Sequence, residues 1–211
     1  MTKDDIKRKV TIETLLSVKQ TTGQGFLPAA VSNRHLHLTR ADVDRLFGAG
    51  YKLTPKSALS QPGQFACEET VTVIGPKGKL EKVRVLGPER PETQIELSIS
   101  DAFKIGIQPV VRMSGDIKNT PGATIEGPCG QVAVPNGVIV AARHLHLSDA
   151  QAAVFGLRSG DVIRVKTAGE RAVVFENVRV RVNKNFDMEL HFDFDEANCT
   201  GLRNGDIVEI V

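Results

Sequence analysis

The stretch Arg34-His35-Leu36-His37-Leu38-Thr39 recurs as Arg143-His144-Leu145-His146-Leu147-Ser148, about half a chain-length further on. Phe47-Gly48 follows the first copy and Phe155-Gly156 the second, so the likeness runs past the hexapeptide and indicates a duplicated structural unit. Polar and apolar residues alternate within each copy, which is the pattern of a strand with one face in a core. Leu36, Leu38, Leu145 and Leu147 are then the inward residues, and the histidines share the opposite face. Thr39 and Ser148 stand where a helix needs its N-cap. Ser148 has Gln151 three residues on, which completes a capping box, and Thr39 has Asp42 in the corresponding place. Each unit reads as strand, cap, short helix and glycine turn.

Outward from these copies, strands dominate. Val71–Ile74, the turn Gly75-Pro76-Lys77-Gly78 and the run 82–86 predict a hairpin, and 162–165, 172–175 and 178–182 continue the pattern. Many short strands between Gly and Pro turns argue for barrels rather than a doubly wound sheet. The expected fold is mainly β, with two small β-barrel domains and short capping α-helices. Pro121-Gly122 and Pro135-Asn136-Gly137 suggest a boundary near residue 140. Residues 3–19 place Ile6, Val10, Ile12, Leu15 and Leu16 at loosely helical spacing, and Thr21 to Gly25 read as a linker. That helix either lies on the body of the protein or docks on a partner surface through its apolar stripe.

Composition narrows the class. The chain has 211 residues, enough for one large domain or two small ones with real cores. Its 41% hydrophobic and 25% charged residues exclude wholesale disorder, collagen-like fibres and a membrane-embedded chain. Lys and Arg number 27 against 25 Asp and Glu, with no long basic block, so nucleic acid is not an expected partner. Cys67, Cys129 and Cys199 are widely separated, with no C-x-x-C pair, and read as reduced thiols of a cytoplasmic protein. No apolar stretch reaches the length of a membrane span and no signal peptide is present.

Four of the five histidines lie in the two H-x-H pairs. In a strand, residues i and i+2 sit on one face about 6.5 to 7 Å apart, so two such imidazoles can converge on one ion. His191 lies in Met188-Glu-Leu-His-Phe-Asp-Phe194, where Met188, Leu190, Phe192 and Phe194 would form one face and His191 the other, with Glu189 and Asp193. Neutral imidazoles suit zinc, and ligand type alone leaves nickel, copper and iron open. A barrel oxygenase or isomerase with non-haem iron, or a non-catalytic metal scaffold, would use the same residues. Gln61-Pro62-Gly63-Gln64 and Asn119-Thr120-Pro121-Gly122 read as turns. No Walker or G-x-G-x-x-G loop is present.

The chain resembles the phosphate propanoyltransferases of the propanediol-utilisation type. The likeness rests on V-S-N-R-H-L-H-L (31–38), Q-P-G-Q-F-A (61–66), E-T-V-T-V-I-G-P-K-G (69–78), L-G-P-E-R (86–90) and T-Q-I-E-L-S (93–98). It continues through M-S-G-D-I-K-N-T-P-G (113–122), G-V-I-V-A-A-R-H-L-H-L-S (137–148) and D-F-D-E-A-N (193–198). The resemblance implies interconversion of acyl-CoA plus phosphate with acyl phosphate plus CoA, with propanoyl as the acyl group and acetyl as the alternative. It implies two zinc ions at a barrel junction: His35, His37 and Glu96 match the ligands of one, and His144, His146 and His191 those of the other. Arg90 matches a phosphate-binding arginine and Ser114 a serine beside the active site. The implied domains are interleaved: an N-terminal helix and linker over 1–23, one barrel from 24–33 plus 142–211, and the other from 34–141. The family's association with bacterial microcompartments makes shell or core proteins candidate partners, residues 3–19 a candidate encapsulation segment and the compartment lumen a candidate location. A homodimer is also implied. With all five histidines assigned to metal, no base remains for a serine or cysteine nucleophile, so the expected attack is direct.

Overall fold

Short strands joined by tight turns account for most of the chain, with helices confined to brief caps and one longer N-terminal element. A computed structural model describes residues 2–211; Met1, the first residue of the segment expected over 1–23, lies outside the described residues. In chain order the elements are α1 (Lys3–Thr22), β1 (Phe26–Ser32), β2 (His35–His37), α2 (Arg40–Phe47), β3 (Pro55–Ala58), β4 (Phe65–Gly75), β5 (Gly78–Gly87), β6 (Gln94–Glu96), α3 (Ile99–Lys104) and β7 (Val111–Arg112). There follow β8 (Ala123–Glu126), β9 (Gln131–Val134), β10 (Val138–Ala141), β11 (His144–Leu147), α4 (Asp149–Phe155), β12 (Val162–Lys166), β13 (Val174–Val182), β14 (Glu189–Asp193), α5 (Phe194–Thr200) and β15 (Ile207–Ile210).

The chain divides into two units. One takes the chain up to Val31 together with Arg143–Phe192 and Glu196–Val211; the other takes Ser32–Ala142 and Asp193–Asp195. The first unit is a closed barrel in the order β1-β14-β11-β13-β12-β15. The second is a nine-stranded sheet, β7-β10-β6-β2-β5-β4-β8-β9 with β3 on β4, curled into a half-barrel. The fold is mainly β, with one closed barrel and one open one.

The duplication is visible in the strand pairing. β2 runs parallel to β5 and antiparallel to β6, and β11 runs parallel to β13 and antiparallel to β14. Leu36 and Leu38 are fully buried in the core of the second unit, as are Leu145 and Leu147 in that of the first. Thr39 and Ser148 are the N-caps of α2 and α4. Ser148 and Gln151 form the full reciprocal box, whereas the Asp42 carboxylate takes the Thr93 hydroxyl instead, and Thr93 Oγ1 accepts the Thr39 N–H.

Three sequence expectations change. The run 172–175 enters a strand only at Val174 and joins 178–182 in one strand, β13, whose register against β12 shifts where Asn177 adopts a φ of 58°. The alternation ending at Phe194 stops one residue early: Phe194 starts α5 and is 43% exposed. The helix α1 runs through Thr21 and Thr22, whose hydroxyls bond back to the carbonyls of Ser17 and Val18, and stops at Gly23 in the left-handed region.

Ile12 and Leu15 of α1 are buried in the core of the first unit with Leu16 alongside, and Arg8 donates to the Met188 carbonyl at 3.4 Å. Ile6 and Val10, by contrast, are 47% and 60% exposed. The middle of the helix packs into the core of the unit, and its N-terminal turns expose Ile6 and Val10 to solvent. No helix among the described residues is long and apolar enough to cross a membrane.

Truncating Ile12 to Ala should cost about 2 to 4 kcal/mol in urea unfolding, and Val10→Ala within about 0.5 kcal/mol; equal effects would contradict this seating. The thiols give a second check. Cys67 is buried, and burial pushes its thiol up to about 12, while Cys129 and Cys199 are exposed. A thiol reagent near pH 8 should label two cysteines in the native chain and the third only in denaturant.

Candidate metal centres

Strand β2 is three residues long, and its pairing with β6 decides what its histidines meet. His35 lies opposite Glu96, Leu36 opposite Ile95 and His37 opposite Gln94. Directly opposed side chains of an antiparallel pair share a face. The Leu36 and Ile95 side chains therefore enter the core, and the His35, His37, Gln94 and Glu96 side chains gather on the other side. The His35 and His37 rings are 5.3 Å apart and nearly perpendicular, and His35 Nε2 is 3.5 Å from Glu96 Oε2.

Each donor is held by a neighbour. His35 Nδ1 is 2.8 Å from the Asn33 carbonyl, which can only accept, so Nδ1 carries the proton and Nε2 faces Glu96. Glu96 Oε1 accepts from Ser114 Oγ at 2.9 Å and from Gln94 Nε2 at 2.6 Å. Gln94 Nε2 also donates to Ser114 Oγ at 2.9 Å, and its side-chain carbonyl accepts the Gly115 N–H at 2.7 Å. One carboxylate oxygen is tied down, and the other is turned towards His35.

Charge in this pocket is strongly coupled. Burial would raise the Glu96 carboxyl, but the adjacent His35 imidazole and the Ser114 hydroxyl hold it well below the usual carboxylate range. Burial works against protonation of His35, and the Glu96 carboxylate outweighs it, raising the imidazole above its ordinary value. His37 goes the other way: burial, with His35 and Arg90 adding to it, lowers it to about 3. Arg90 therefore stands close enough to act on both rings, anchored by its N–H to the Leu38 carbonyl at 2.9 Å.

The second cluster repeats the plan with three imidazoles. β11 pairs with β14 so that His144 faces His191 and His146 faces Glu189. The three rings form a near-equilateral set, with centroids 4.7, 4.9 and 4.9 Å apart. His146 packs on Phe186 at 4.2 Å, and the Arg181 guanidinium lies over the Phe186 ring, 5.6 Å from its centroid. His191 Nε2 is 3.0 Å from Glu189 Oε2.

In both clusters the donor atoms lie within 4.8 Å of one another. Whether they fit a cation is tested by their unmet valences. The His37 ring is neutral, and its Nδ1 is buried with no hydrogen-bond partner. A buried polar atom in that state costs free energy unless something meets it. Two imidazoles with a carboxylate, and three imidazoles, are both donor sets that first-row divalent ions accept. The residues fit.

The structure thus gathers His35, His37, Glu96, Ser114 and Arg90 in one unit and His144, His146 and His191 in the other. The proton of the Ser114 hydroxyl is directed at Glu96. The 119–122 loop does turn chemistry: Thr120 Oγ1 donates to the Ile117 carbonyl and accepts the Gly137 N–H. Sequence reasoning missed Gln94, and it placed Glu189 on the His191 face without giving it a role. A signal was present, because residues 94–102, QIELSISDA, align without gaps on 189–197, ELHFDFDEA. The alignment carries Glu96 onto His191 and Gln94 onto Glu189. It also explains two matching ion pairs, Arg34 with Asp101 and Arg143 with Glu196, both at 2.6 Å.

A family model described as phosphate propanoyltransferase matches residues 28–203. A phosphate propanoyltransferase of Rhodopseudomonas palustris is 54% identical over 85% of this chain and 80% of its own length. One of Thermotoga maritima is 50% identical over 86% and 87%, and one of Clostridioides difficile is 38% identical over 99% and 98%. The chain therefore belongs to the phosphate propanoyltransferase family, a family of acyltransferases.

Proposed function

We propose that the chain moves a propanoyl group between CoA and inorganic phosphate by direct attack of phosphate on the thioester, with two bound zinc ions, one in each cluster. What carries this reading is that a chain of this family folds its two H-x-H strands against a third donor each, giving two three-donor clusters. His35, His37 and Glu96 would hold one ion and His144, His146 and His191 the other, where zinc supplies a Lewis acid for the carbonyl oxygen or the departing thiolate.

The protein's own groups do the positioning. Arg90, whose charge acts on His35 and His37, would offer phosphate a planar fork of two N–H donors. Ser114 acts through Glu96, fixing which carboxylate oxygen faces the site. His37, neutral throughout the physiological range, adds no charge to repel a cation. A phosphate oxygen bonds to the carbonyl carbon, the C–S bond breaks, and the proton of hydrogen phosphate ends on the CoA sulfur. Holding both reactants together removes much of the entropic barrier to a two-substrate step. Cys67 is sealed in a core and all five histidines lie in the clusters, which supports attack without an acyl-enzyme. On the family resemblance the enzyme is a homodimer, and the exposed Ile6 and Val10 suit docking of α1 within a microcompartment.

The test is CoA-dependent turnover of propanoyl phosphate and acetyl phosphate, with and without chelator. Propanoyl phosphate should turn over faster, chelator should abolish activity, and zinc should restore it; chelator-resistant turnover, or an oxygen requirement, would defeat the proposal. Arg90→Ala should lower kcat/KM for phosphate on the order of 100-fold, the value of a charge-assisted fork, with little change in zinc content. Labelled acyl group appearing on the protein in the absence of phosphate would contradict direct attack.

A further inference from the structure

The two clusters differ in a way that the strand alignment makes exact in position. At the first, the third donor is a carboxylate, Glu96, and the residue two before it is the neutral amide Gln94. At the second, the third donor is the neutral imidazole His191, and the residue two before it is the carboxylate Glu189. Register places Gln94 opposite His37 and Glu189 opposite His146, so the two occupy equivalent places. Both are buried, at 2% and 8% exposure. Both lie against the third donor of their own cluster: Gln94 Nε2 donates to Glu96 Oε1 at 2.6 Å, and Glu189 Oε2 lies 3.0 Å from His191 Nε2 without hydrogen-bond geometry. Each cluster thus contains one carboxylate, and only its place is exchanged.

That exchange has a physical meaning. Three neutral imidazoles leave the full charge of a divalent ion uncompensated in a buried site, whereas a carboxylate in or beside the ligand set offsets part of it and orients the ring it touches. A carboxylate buried there without a cation opposite it would itself be costly. Among the positive groups close to it is Arg8 of α1, whose guanidinium is 4.0 Å from Glu189 and 3.4 Å from Asp187. Arg8 is shared between two carboxylates and is itself partly exposed, so it compensates Glu189 only in part.

We infer that Glu189 is the anionic member of the second cation site, supplying from beside His191 the negative charge that Glu96 supplies directly in the first. The inference rests on the two-ion reading above.

The experiment uses the full chain loaded with zinc, dialysed against graded chelator, with bound zinc read by mass spectrometry. His146→Ala marks which release step belongs to the second site. Wild-type chain should hold two ions. Glu189→Gln should release the second-site ion at chelator concentrations about 10- to 100-fold lower, the usual cost of losing a group that supports a metal ligand, and leave the first-site step unmoved. Arg8→Met, which removes the competing positive charge and keeps the carboxylate, should tighten the second site about two- to fivefold. Wild-type chain holding no zinc would overturn this inference together with the two-ion reading. Two ions in wild type with Glu189→Gln unchanged, or a second site not tightened in Arg8→Met, would overturn the inference alone.

Discussion

A three-residue strand can present two side chains to one face and no more, so a third donor has to come from a neighbour in fixed register. That register is the constraint on which both clusters depend. His35 against Glu96 and His144 against His191 are directly opposed pairs, and a slip of one residue would send every donor into the core and every leucine out of it. Leu36 and Ile95, or Leu145 and Leu190, hold the register because both members of each pair are fully buried. The hydrophobic core of each unit thus sets the geometry of its polar face, and the clusters cannot be loosened without exposing apolar surface.

What the amino-acid sequence discloses about this protein follows the range of the forces involved. The H-x-H strands, the caps at Thr39 and Ser148 and the hairpin turn at Pro76-Lys77 depend on neighbours within a few residues, and period-two alternation or capping chemistry reports them directly. The end of α1 was less legible, since Thr21 and Thr22 are poor interior helix formers that here satisfy their hydroxyls on the preceding turn. Phe194 misled for a related reason: an apolar residue continuing an alternation does not announce that it starts a helix and faces solvent.

The donors of the clusters could be named from residue type, spacing and resemblance, but their supports could not. Gln94, Gly115 and Asn33 act on Glu96 and His35 across turns and strand pairings that periodicity does not encode. Ser114 was singled out as a residue beside the site, and its hydroxyl donates to the Glu96 carboxylate, a contact that spacing does not report. Only the comparison of the two internal copies, extended as far as their second strands, brings Gln94 and Glu189 into view. The ion pairs Arg34 with Asp101 and Arg143 with Glu196 show that the duplication reaches into the helices that follow.

The closed barrel is assembled from the two ends of the chain, with β1 paired to β15. On a ribosome adding about 5 to 20 residues per second, the first strand emerges on the order of ten seconds or more before its partner exists. The open sheet, encoded almost wholly between them, can form in that interval, while Leu27 and Ala29, destined for the barrel interior, have nothing of their own unit to pack against. While the intervening residues are being translated, the apolar strand β1 waits for its barrel partners, and the open sheet that follows it in the sequence can already be folded.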